Sequence, residues 1–186
     1  MGKKAAHPTW LPLLAKGSYM IKLLLGLLMF SNVALAFDFK GIEVGERTLV
    51  ETIENTLLIE CRDGSSGWDV WCEGKTTIVG SDAEAFVKMD KNHIVESISV
   101  KFEPNNFKDI ASALIKKYGK TKVKKSILKN AMGASFEQIE MIWRKKGGFM
   151  SLSKYTDKIS QGALIIVTDE ELIKSSVQNE KDKSDI

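Results

Sequence analysis

Apolar residues after Pro104 recur at Phe107, Ile110, Ala111, Leu114, Ile115 and Tyr118, a spacing that lays one stripe along a helix. Asn105 or Asn106 can cap its start, Asp109 falls in its first turn, and Lys116 and Lys117 complement the carbonyl end of its dipole. Gly119 can take the left-handed conformation that ends it. A second, shorter helix is predicted from Thr48, whose hydroxyl can cap while Glu51 reaches back, with Val50, Ile53 and Leu57 on one face. The β-branched Val50, Thr52, Ile53 and Thr56 weaken its propensity.

Between the two helices the period shifts towards two. Ala83 to Met89 and Ile94 to Phe102 flank the turn residues Asp90-Lys91-Asn92, which predicts a hairpin. Ile94, Ile98, Val100 and Phe102 would face a core, with Glu96 near an edge. Thr76 to Val79 adds a further strand. After the Phe107 helix the order recurs, with Phe136 to Arg144, a turn at Lys145-Lys146-Gly147-Gly148, then Phe149 to Tyr155, and Ala163 to Thr168 after Gln161-Gly162. The expected fold class is therefore α+β, built as two successive helix-then-three-strand units. Its mainly antiparallel sheet would carry both helices on one face and leave the other partly open. This single domain would span residues 37 to 172, and residues 173 to 186, poor in apolar residues, would form a disordered, solvated tail.

Ahead of the domain, Lys22 precedes the apolar run Leu23 to Phe30, the polar break Ser31-Asn32 and the small-residue site Val33-Ala34-Leu35-Ala36. Residues 1 to 36 read as a secretory signal peptide cut after Ala36, with Met20 a compact start and residues 1 to 19 an upstream extension. The run is shorter than the roughly 20 residues of a membrane span. No Cys stands at the first mature position to accept a lipid. The expected product is soluble, without a transmembrane segment, and periplasmic or secreted.

Export changes the meaning of Cys61 and Cys72, the only two thiols, since an oxidising compartment favours a structural disulfide between them. Redox chemistry lacks the close Cys-x-x-Cys geometry, and a metal site would have only His93 as a nitrogen ligand in the mature part. No metal or cofactor is therefore expected.

With 44% hydrophobic and 27% charged residues, the composition is that of an ordinary globular domain. The formal charge of +3 is unevenly spread. Residues 37 to 107 hold 7 bases and 14 acids, whereas residues 108 to 146 hold 11 bases and 3 acids. Lys116, Lys117, Lys120, Lys122, Lys124 and Lys125 fall in that basic stretch, either as a solvated helix end and loop or as a dock for an anionic surface. Nucleic acid is not an expected partner, because stacking aromatics are not interleaved with these lysines. Trp68 and Trp71 beside Cys72 read either as packing on the disulfide or as an exposed contact anchor. Trp143, alternating with Ile139 and Met141, reads as core.

Catalytic motifs are absent from the sequence: there is no phosphate-cradling glycine loop, no His-Glu-x-x-His and no Gly-x-Ser-x-Gly. Glu137 with Glu140, or Asp169, Glu170 and Glu171, could serve acid–base chemistry only if buried together.

The chain resembles a group of small uncharacterised bacterial exported proteins. The resemblance is carried by Phe39-Lys40-Gly41-Ile42 with Gly45, the Cys61 and Cys72 pair, Lys117-Tyr118-Gly119-Lys120, and Asn130-Ala131-Met132-Gly133-Ala134-Ser135-Phe136 leading to Trp143. The helix-plus-strands order is similar at fold level to β-lactamase-inhibitor proteins and SmpA/OmlA-type envelope lipoproteins, whose acylated cysteine is missing here. The reading the sequence favours is a non-catalytic exported binding module for a protein or envelope component, using the open sheet face, the Trp68/Trp71 loop or the lysine segment. The alternatives are a small periplasmic hydrolase using carboxylates or His93, and a lysine-driven binder of anionic polymer or lipid surface.

Overall fold

Residues 70 to 78 show why a sheet forms: Val70, Cys72, Thr76 and Ile78 are buried while Glu73, Lys75 and Thr77 are exposed, the alternation of a strand with one face on a core. The computed structural model describes residues 37–64, 69–130 and 132–184, so the signal peptide expected over residues 1 to 36 lies outside the described residues. Two short strands, β1 (Asp38–Phe39) and β2 (Ile42–Glu43), form a hairpin of their own. Helix α1 (Val50–Leu57) is followed by β3 (Glu60–Asp63), β4 (Val70–Ile78), β5 (Ser81–Met89) and β6 (Val95–Phe102). Helix α2 (Phe107–Tyr118) is followed by β7 (Lys122–Lys129), β8 (Ser135–Lys145), β9 (Gly148–Ser153) and β10 (Gly162–Thr168), and helix α3 (Asp169–Ser184) comes last.

The eight longer strands make one antiparallel sheet in the order β3-β4-β5-β6-β10-β9-β8-β7. The two four-strand runs meet where β6 pairs with β10, Val100 opposite Leu164 and Ile98 opposite Ile166. One row crossing the sheet, Cys72, Val87, Ile98, Ile166, Met150 and Trp143, is buried throughout. It joins Ile53 and Leu57 of α1 and Phe107, Ile110 and Ala111 of α2 in a single core. Each fully buried aliphatic side chain there contributes about 1.5–3 kcal/mol, so the covered face stabilises the sheet far more than the opposite face does.

The α+β class and the large antiparallel sheet agree with the sequence reading, but four strands, not three, follow each of α1 and α2. The additional members are β3 and β7, the two edge strands. Neither shows a buried stripe, since β7 is exposed at every position except Leu128. Periodicity therefore carried no signal for them, and the lysine segment expected as loop from Lys122 onward is strand.

The cap residues also differ. Leu49, not Thr48, precedes α1, and neither helix start carries a side-chain cap hydrogen bond. The Thr48 N–H donates instead to the His93 carbonyl at 2.9 Å. A 3-10 turn at Pro104–Asn106 leads into α2. Glu96, expected near an edge, is buried on a central strand, where Lys88 and Lys174 hold its carboxylate at 3.1 and 2.9 Å. That Lys174 pair, with Glu170 one turn earlier at 3.3 Å, anchors α3 across the stretch expected to be a disordered tail. Among the described residues no helix is long and apolar enough to cross a membrane.

The turn between β4 and β5 is Val79-Gly80, with φ of 50° and 77°. Two positive φ values match a type I′ turn, which favours Asn-Gly and strains a β-branched residue. Val79 is also 54% exposed, so little burial offsets that strain. Val79→Asn is expected to raise stability on the order of 1 kcal/mol, read as a higher urea midpoint; an unchanged or lower midpoint would show that Val79 contacts outweigh the strain.

Candidate functional site

The face opposite α1 and α2 is where the sheet presents its polar side chains. In β3 and β4, Cys61 lies directly opposite Cys72 and the two are joined as a disulfide. Because successive side chains alternate, fixing these two sulfurs towards the core turns their neighbours Arg62 and Trp71, also directly opposite each other, outwards. Two contacts brace this edge: the Cys61 N–H donates to the Glu54 carboxylate of α1 at 3.0 Å, and Arg62 pairs with Glu73. At Gly74 a Cβ would sit 3.2 Å from Ile59, so a glycine there lets the segment between α1 and β3 lie close against β4.

Trp71 packs against Phe86 of β5, ring centroids 5.0 Å apart, and the Lys88 ammonium stands 5.8 Å from the Trp71 ring. Phe86 lies in the floor of a groove of about 600 Å³ whose polar wall is Glu60, Arg62, Glu73, Lys75, Glu84 and Lys101. The groove thus offers an aromatic floor under three acids and three bases. Two residues beyond Phe86 on β5, Lys88 bridges Glu96 and Glu171, each at 3.1 Å. Burial pushes the Lys88 pKa down, but hydrogen bonds to Glu171 and Glu96 outweigh it, and the net shift is upward. Lys88 therefore remains an ammonium that fixes the start of α3.

The other sequence candidates are dispersed. Trp68 lies outside the described residues, so of the proposed tryptophan pair only Trp71 can be located, half-buried on the outward face. Lys116 is exposed on the last turn of α2. Lys117 pairs with Asp38 at 2.6 Å, and the Tyr118 hydroxyl donates to an Asp38 carboxylate oxygen at 2.9 Å. Burial raises the Asp38 pKa, but these bonds and the Gly41 N–H lower it further, to a net value below the ordinary range. Lys124 and Lys125 pair with Glu140 and Glu137 of β8 at 3.5 and 2.9 Å. Lys120 and Lys122 instead line a cleft with Arg144 and Lys145. The lysine segment is thus not one uniform patch.

Glu137 and Glu140 are each occupied by a lysine, and Asp169, Glu170 and Glu171 open α3. His93 sits at φ 62° in the β5–β6 turn, its N–H donating to the Asp90 carbonyl. Trp143 is core, 5% exposed, with its indole N–H donating to the Gly119 carbonyl at 2.9 Å. No group of three or more His, Cys, Asp or Glu side chains could hold a metal among the described residues. Phe86, Lys88 and Lys75 escaped the sequence reading as site residues, although period-two alternation in β4 and β5 marks them as outward-facing, whereas Arg62 on the edge strand β3 carried no such signal. Comparison of the chain with protein-family models, with curated proteins and with solved structures found no match.

Proposed function

We propose that this protein is a non-catalytic, exported binding module that takes a protein partner on the outward face of its sheet. The observation that carries the reading is the half-buried Trp71–Phe86 pair on the face opposite α1 and α2, with Phe86 lining a groove and Trp71 packed against it. Large rigid aromatics bordered by polar groups are the anchors on which protein interfaces concentrate their binding energy. The groove wall combines Glu60, Glu73 and Glu84 with Arg62, Lys75 and Lys101, a mixture that a polypeptide of mixed charge can complement. A polymer of one sign would meet repulsion from half of it. The Cys61–Cys72 disulfide supports an oxidising, exported location.

The test is affinity capture from an envelope extract with the oxidised protein. Trp71→Ala with Phe86→Ala is expected to weaken capture of a specific protein about 30-fold, the loss of one good anchor, while the domain still unfolds cooperatively. Capture that survives the double substitution would refute the reading. So would a collapse of the melting temperature, which would place both rings in the core.

A further inference from the structure

The two edges of the eight-strand sheet are finished differently. At one, β3 spans only Glu60–Asp63 and is bridged to β4 through Cys61 and Cys72. At the other, β7 spans Lys122–Lys129 and pairs with β8 in unbroken register, from Lys122 opposite Ile142 to Lys129 opposite Ser135. Shortness, proline, bulges and a covering element all blunt an edge; β7 is long, lacks proline and bulge, and is exposed at every position except Leu128. Its free side follows from the turn that ends it. The Asn130 N–H donates to the Ala134 carbonyl at 3.0 Å, and hydrogen-bonded and non-hydrogen-bonded pairs alternate from there along the ladder. Val123, Lys125, Ile127 and Lys129 therefore direct their N–H and carbonyl groups away from β8. Two of these four, Val123 and Ile127, are apolar, share one face of the strand, and are 52% and 63% exposed.

An open backbone ladder beside exposed apolar side chains is what an incoming strand completes, since its main chain pairs with the edge while alternate side chains select the sequence. Charge decides the occupant. β7 holds four lysines and no acid. Glu140 and Glu137 draw the ammoniums of Lys124 and Lys125 towards β8, at 3.5 and 2.9 Å, which leaves the edge unobstructed there. Lys122 and Lys129, at its two ends, form no ion pair with a described residue. A second copy fits poorly: full antiparallel overlap of two β7 strands sets Lys122 opposite Lys129 at both ends, and like charges directly opposite destabilise a pair. We infer that β7 accepts, by antiparallel strand addition, an extended protein segment that alternates acidic and apolar residues. Its acids would lie opposite Lys122 and Lys124 and its apolar side chains opposite Val123 and Ile127. This edge is at the other end of the sheet from the Trp71–Phe86 pair, and the inference does not rest on that pair.

The probe is an acetylated, amidated peptide of four Glu-Val repeats, labelled for fluorescence anisotropy and titrated with the oxidised protein. It is expected to bind, and the same peptide with N-methylated valines to bind at least tenfold more weakly, because the residues opposite Val123 and Ile127 are those whose N–H groups meet β7. A Lys-Val peptide of equal length should also bind at least tenfold more weakly. Val123→Thr with Ile127→Thr, which keeps β propensity at two exposed positions, is expected to weaken binding of the Glu-Val peptide about fivefold. The peptide comparisons use the unaltered protein, so they decide the matter even if that variant fails to fold. No binding at millimolar peptide, equal binding of the N-methylated or the Lys-Val peptide, or unchanged affinity in the folded variant would overturn the assignment. So would dimerisation of the protein alone, seen in sedimentation and lost in the variant, which would seat a second copy on this edge.

Discussion

Replacing Gly162 by Ala is expected to lower stability by roughly 2–3 kcal/mol, the upper part of the range for an overpacked core site. A Cβ there would lie 2.5 and 2.8 Å from two ring carbons of Phe102 and 2.9 Å from the Lys154 carbonyl oxygen. Phe102 is 4% exposed and pairs with Gly162 across the β6–β10 seam that joins the two halves of the sheet. The Lys154 carbonyl is backbone, so relief there requires the seam itself to move. For a domain of this size the loss corresponds to roughly 5–10 °C in melting temperature. Thermal unfolding followed by circular dichroism measures it, and a shift below about 2 °C, far short of that conversion, would show that the seam yields easily.

The second large effect concerns the sulfurs. Cys61→Ala with Cys72→Ala is expected to cost about 3 kcal/mol, because the unfolded chain regains the freedom of the loop that the bridge closes. The bridge spans a separation of 11 residues and ties the four-residue edge strand β3 to β4. Besides the bridge and strand pairing, β3 is held by the Glu54–Cys61 and Arg62–Glu73 contacts. The wild type in reductant should therefore reproduce the urea midpoint of the double variant. Equal midpoints for oxidised wild type and double variant would mean that β3 docks equally well without the bond. The same loss should reach the outward groove, since Arg62 and Glu60 hang from β3 and line it.

Much of the fold was legible where a segment has one buried side. The stripe from Phe107 to Tyr118 matched the bounds of α2, although of its six apolar positions Phe107, Ile110 and Ala111 are buried, Leu114 and Tyr118 half-buried, and Ile115 exposed. The β5–β6 and β8–β9 hairpins were legible for a related reason, turn residues between runs with one core-facing side. β3 and β7 were illegible because an edge strand is specified by the partner it pairs with, and its own side chains need not be buried. The end of α3 was misread as a tail because its helix is fastened by Lys174 to Glu96, 78 residues earlier in the chain.

The candidate sites divide along the same line. Sequence singled out Trp71 and the lysines by residue type, which says what a side chain can contact but not which way it faces. Whether a lysine is spent on a carboxylate or left to line a cleft depends on the strand opposite it, and so does the meeting of Trp71 with Phe86. By itself the sequence determined the α+β class, the buried stripe of α2, the pairing of the two cysteines and the segregation of acidic and basic stretches, all properties of local pattern and composition. Only the tertiary structure decided the eight-strand order, the outward direction of Trp71 and Phe86, and which lysines meet a carboxylate. Those depend on register between segments far apart in the chain, and moving a strand by one residue would send each of its side chains to the opposite face.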